Sequence, residues 1–114
     1  MDMVAKLDRL YPQLLRVNPK CRFCGREAHA IHHIIGRANL LLRYDLNNLI
    51  PICDDCHRLV HDKGIEMFIP PLRMYYLNTM KNIQFQDYLL SHNLTREEFF
   101  KQKETELKER INGR

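Results

Sequence analysis

The stretch Ile31-His32-His33-Ile34-Ile35, read with Asn48 and with Cys53-Asp54-Asp55-Cys56-His57-Arg58-Leu59-Val60-His61, decides how this chain folds. Residues 30 to 35 are short, β-branched and closed by Gly36, which predicts a strand. Leu49-Ile50-Pro51-Ile52 reads as the return strand, with Pro51 marking an edge or a strand end because it has no N–H to donate. From Asp54 to Lys63 the pattern turns helical: Asp54 and Asp55 suit the positive first turn, and Gly64 supplies a stop. Strand, strand and helix therefore follow one another, and His57 and His61 fall four apart on one helical face.

All four cysteines and five of the six histidines lie between Cys21 and His61 of a 114-residue chain. The cysteines form two CxxC pairs, Cys21 with Cys24 and Cys53 with Cys56. Gly25 follows the first pair and is free to take a positive φ at the turn. Four soft thiolates at these spacings can close tetrahedrally on one Zn²⁺. The 28 residues between Cys24 and Cys53 exceed the roughly 15 to 20 of a simple zinc ribbon. The expected arrangement is a structural zinc that clips the base of a hairpin displaying His32 and His33.

Composition sets the frame. Hydrophobic residues make up 45% and charged residues 28% of the chain, a globular balance that excludes disorder. The net charge of +4 is shared evenly between the two halves, so a polyanionic partner is permitted without being demanded. No apolar run reaches the roughly 20 residues of a membrane span, and Met1 to Lys6 lacks the basic-then-apolar order of a secretory leader. A cytoplasmic protein with no membrane association is expected, and there reduced thiols favour metal over disulfides.

Outside this segment the pattern is helical. Val4, Leu7, Leu10, Leu14 and Val17 recur at helical spacing, with Asp2 as a cap and Pro19 as a limit. Residues 65 to 72, with Pro70-Pro71, read as an extended exit from the central helix. Leu72, Tyr75, Tyr76 and Met80 are expected to share one face, and Phe85, Tyr88 and Leu89 another. Thr95-Arg96-Glu97-Glu98 is a capping box that opens a helix with Phe99, Phe100, Leu107 and Ile111 inward. The prediction is a single α+β domain: residues 1–18 as an N-terminal helix, 19–64 as the core and 65–114 as a helical extension. That extension has three candidate roles: a helix-turn-helix that positions DNA, a dimer surface, or an αα-hairpin covering the core.

Adjacent strand residues point to opposite faces, so His32 and His33 do not ordinarily serve one role. One imidazole can ligate a metal on the helix side while its neighbour acts as a general base near neutral pH. His29 and His92 read as surface residues, and Asp54, Asp55 and Asp62 as helix-start and surface charges.

His32-His33, then Asn48, then His57 directly after the fourth cysteine, then His61, resembles the HNH nuclease motif in its ββα-metal form, with the four-cysteine zinc knot many members carry. The likeness covers roughly residues 20 to 64. It implies a zinc-stapled ββα-metal core in which His32 and His57 hold a catalytic divalent ion, Mg²⁺ or Mn²⁺ with Zn²⁺ or Ni²⁺ as alternatives. His61 matches a third ligand position of colicin-type members. His33 takes the general-base position, Asn48 the middle Asn that orients the base and the loop, and Cys21, Cys24, Cys53 and Cys56 the structural zinc.

The resemblance implies a DNA endonuclease that hydrolyses phosphodiester bonds of double-stranded or branched DNA. The segment Arg43-Tyr44-Asp45-Leu46-Asn47-Asn48 is also similar to phage recombination nucleases of the superfamily. Arg26, Arg37 and Arg43 flank the site, where a guanidinium can grip a phosphate with two donors. The competing readings are a non-catalytic zinc-binding module that joins DNA or protein in a phage packaging or recombination complex, with a homodimer or a phage protein as partner, and an RNA-directed nuclease.

Overall fold

The computed structural model describes residues 2–64 and 69–113. Its elements are helix α1 (Met3–Leu10), a 3-10 turn (Tyr11–Arg16), strand β1 (Ala30–His33), a second 3-10 turn (Leu46–Asn48), strand β2 (Leu49–Ile52), and helices α2 (Asp54–Lys63), α3 (Pro71–Met80), α4 (Phe85–Ser91) and α5 (Arg96–Ile111). This is an α+β fold in which a two-stranded antiparallel hairpin is followed at once by a helix, consistent with a ββα zinc fold.

The register pairs Ala30 with Ile52, Ile31 with Pro51, His32 with Ile50 and His33 with Leu49. Directly opposed residues of an antiparallel pair share a face, so the hairpin has two distinct sides. On one side Ile52 packs with Val60 of α2 and the cysteines, while Ile34 and Ile50 pack with Leu42, Ile69 and Leu77 of α3. On the other, Ile31 and Leu49 join the largest cluster, with Leu7, Leu14, Tyr44, Leu89, Phe99, Phe100 and Leu107. The sheet is thus a thin partition between two helical layers.

Local rules account for the ends of the elements. The Asp2 side chain accepts from the Val4 N–H at 3.2 Å, capping α1. At the end of α2, Gly64 takes φ +62°, a left-handed stop that a Cβ would strain. Thr95 and Glu98 exchange both capping-box hydrogen bonds, each 3.0 Å, at the start of α5. None of the described helices is long and apolar enough to cross a membrane.

Three expectations are corrected. The first strand ends at His33, two residues short: the Ile34 N–H still reaches the Asn48 carbonyl, but the Ile35 N–H is taken by the Asn48 side chain. Pro71 and Leu72 open a helix, since proline suits the first helical position, where its missing N–H is no loss; residues 65–68 of that expected extended exit lie outside the described residues. The inward face of α3 is carried by Leu77 with Met74, Tyr76 and Met80, whereas Leu72 is 85% and Tyr75 74% exposed.

Removing the cap of the longest helix tests this account of the C-terminal layer. Thr95→Ala is expected to cost about 1 kcal/mol, read as a lower denaturant midpoint with an unchanged slope and unchanged metal content.

Candidate active site and metal centre

The two knuckles are built by tight backbone bonding. The Cys21 N–H donates to the Arg26 carbonyl at 2.6 Å, the Gly25 N–H to the Cys21 carbonyl at 3.0 Å, and Gly25 adopts φ +77°. The Arg22 N–H donates to the Pro51 carbonyl at 2.9 Å and so ties the first knuckle to β2. The second knuckle is the first turn of α2, whose N-cap is Cys53: its sulfur accepts from the Cys56 N–H at 3.4 Å. In consequence the sulfurs of Cys21, Cys24, Cys53 and Cys56 all lie within 4.8 Å of one another, with Cys24 and Cys53 Sγ 3.6 Å apart. All four are free thiols.

These sulfurs fit zinc. Metal–sulfur bonds of about 2.3 Å in a tetrahedron place the sulfurs a little under 4 Å from one another. The electrostatics agree. Burial pushes the Cys21 thiol up, but the N–H groups of Cys53, Cys24 and Phe23 overcome this and bring it down to about 6. Burial, and then the neighbouring thiols, push Cys56 strongly up. Four thiolates at this spacing need a cation between them.

The histidines are divided by β1. His32 is buried, and its ring centre lies 5.2 Å from that of His57 and 6.3 Å from that of His61; His57 and His61 are 5.3 Å apart. These three imidazoles converge from one strand and one helical face and could hold a divalent ion, though more loosely than the cysteines gather. Burial, and then the charges of His32 and His61, lower the proton affinity of His57. That favours the neutral form a ligand requires.

His33 faces the other way. Its ring meets Tyr11 edge-on at 4.9 Å, and its Nε2 lies 3.0 Å from the Arg43 carbonyl. A carbonyl can only accept, so Nε2 carries the proton and Nδ1 keeps the lone pair. Burial, and then the charges of Arg37, Arg43 and His32, push His33 down to about 4, against the carbonyl, which favours the protonated ring.

Asn48 is fully buried and touches His33 only indirectly. Its Oδ1 accepts from the Ile35 N–H at 2.6 Å, and its Nδ2 donates to the Ile35 and Leu42 carbonyls, each at 3.0 Å. It therefore fixes the end of β1 against the segment whose next residue, Arg43, carries the carbonyl paired with His33. The sequence reading missed Asp8. From α1, its Oδ1 and Oδ2 accept from Arg43 at 3.2 and 2.7 Å, Oδ1 accepts from the Tyr44 hydroxyl at 2.7 Å, and Arg37 lies 3.5 Å away. No local signal in the sequence points to it, because its partners lie 35 and 36 residues away. Of the three flanking arginines, Arg43 is largely enclosed by this clamp, Arg37 is more exposed beside it, and Arg26 pairs with Asp55 at 3.6 Å.

Two measurements follow. The native protein is expected to hold one zinc per chain with four thiols unreactive to a disulfide reagent; chelation should expose all four and unfold the hairpin, seen as a loss of ellipticity. Asn48→Ala strands three backbone groups, each worth about 1 to 3 kcal/mol when unpaired and buried, so a clear drop in the denaturant midpoint is expected.

Residues 21–63 match the family model described as HNH endonuclease. Neither the curated proteins nor the solved structures include a significant match to the chain. The match spans both knuckles, the hairpin and all of α2, and it supports a nuclease-type function in broad terms. Residues 21–63, with their four-cysteine group, are consistent with the HNH endonuclease family in its zinc-type form.

Proposed function

We propose that the protein is a divalent-metal-dependent endonuclease that hydrolyses DNA phosphodiester bonds with His33 as the general base. The observation that carries this reading is the division of two adjacent histidines by β1: His32 sits among His57 and His61, while His33 is pinned on the opposite face by the Arg43 carbonyl.

The chemistry follows from the side chains. His33 is neutral near physiological pH because burial disfavours its charged form. Its Nε2–H is committed to Arg43, so Nδ1 is the atom that takes a proton from water as the water attacks phosphorus in line with the departing 3′ oxygen. A divalent cation, Mg²⁺ or Mn²⁺ in this proposal, held by His32 and His57 with His61 as a third donor, would supply charge for the phosphoryl oxygens and the leaving group.

Asn48 and Asp8 act as positioning residues. The first sets the backbone on both sides of the base, and the second holds the arginine whose carbonyl orients it. Arg37 is the flanking cation best placed to touch a phosphate, because Arg43 is already held by two hydrogen bonds to Asp8. No observation on the described residues carries a homodimer or a phage partner.

The test is relaxation of supercoiled plasmid with Mg²⁺ or Mn²⁺, with and without a chelator of the catalytic ion. His33→Ala is expected to retain its zinc and fold while losing roughly 10²- to 10⁴-fold in nicking rate. Cleavage at near wild-type rate would overturn His33 as the base. Intact plasmid under every metal would leave the chain a non-catalytic zinc module.

A further inference from the structure

The arginines nearest the histidines are occupied by acids, which turns attention to the cations that are not. Lys20, Arg22, Arg73 and Arg110 line one cleft of about 410 Å³ and make no ion pair among the described residues. No carboxylate lines that cleft; its floor is Leu14, Leu46, Leu49, Ile50 and Pro51. Lys20 and Arg22 flank Cys21, and the zinc knuckle therefore holds them in place. Arg73 comes from α3 and Arg110 from the last turn of α5, so the cleft runs along the outer edge of β2 between the two helical layers.

We propose that this cleft binds the phosphate backbone of the DNA substrate beyond the scissile bond. The inference rests on the nuclease reading above and extends it to residues outside the matched segment.

Two features support it. Four cations that line one cleft and make no ion pair among the described residues repel one another and are stabilised by a polyanion. Burial, and then the like charge of Arg22, lower the proton affinity of Arg73, against the buried Asp45 behind it. The second feature is location. Leu49 of the cleft floor is the ladder partner of His33, on the same face of the hairpin and about 5 Å away between Cα atoms. A strand with its scissile phosphate at His33 needs only to cross β2 to enter the cleft.

The test measures binding apart from cutting. Fluorescence anisotropy of a labelled DNA duplex across a salt series is recorded in a His33→Ala background, with zinc content and thermal unfolding confirming that each variant is folded. The slope of log affinity against log salt is expected to fall by roughly 0.9 for each of Arg22→Gln, Arg73→Gln and Arg110→Gln. The triple variant should lose nearly three times that. Arg58→Gln removes the same charge from a pair with Asp55 on the exposed side of α2 and should leave the slope unchanged.

An unchanged slope in the folded triple variant, or an equal fall in Arg58→Gln, would overturn the cleft. So would cleft-dependent binding of an RNA duplex with none of DNA. Cleft-dependent DNA binding by a wild-type chain that never nicks plasmid would uphold the cleft while the nuclease reading falls. Nicking with an unaltered slope in the triple variant would do the reverse.

Discussion

One buried carboxamide sets the geometry on which the candidate site depends. Asn48 ends β1 by drawing in the Ile35 N–H, holds the Leu42 carbonyl, and passes directly into β2. A donor and two acceptors of backbone are thereby satisfied in a place water does not reach, where leaving them unpaired would be costly. The hairpin, the returning loop and the face on which His33 stands are all indexed to that side chain. At the opposite end four sulfurs placed to fit zinc bring the first knuckle to the start of α2. The short sheet is therefore held at both ends by polar or metal-binding groups, with modest apolar packing between.

Much of this was legible in the sequence because it is local or carried by unusual residue types. The CxxC spacing, the Gly25 and Gly64 turns, the Thr95 capping box and the helix from Asp54 to Lys63 all follow from short-range rules. That His57 and His61 share a face followed from helical periodicity, and the placing of His32 with them from the resemblance to the HNH motif. The long-range pairs were not. Asp8 meets Arg43 and Tyr44 across 35 and 36 residues, and an aspartate in an amphipathic helix gives no hint of such a partner.

The departures have physical causes of the same kind. Strand β1 ends near His33 because the Asn48 side chain takes the Ile35 N–H just after the Ile34 N–H reaches the Asn48 carbonyl, a competition between side chain and ladder that β-propensity does not report. In α3 the apolar residues outnumber the buried positions, and tertiary packing selected Leu77 while Leu72 and Tyr75 remained outside. The arginines were nominated by proximity along the chain, yet Arg26 and Arg43 have acidic neighbours in space, whereas Arg73 and Arg110 lie far from the motif in sequence and come beside it only through folding.

The contact between Asp8 and the Arg43–Tyr44 turn also bears on modularity. A fragment trimmed to residues 21–63 would keep every cysteine and every histidine of the candidate centres, yet it would lose the carboxylate that immobilises the turn opposite His33. The imidazole would then sample many orientations, and the probability of a productive encounter would fall even though each reactive atom remained. On the proposed mechanism the first helix is thus an outlying part of the scaffold that orients His33, and the working unit is larger than the segment that bears the motif.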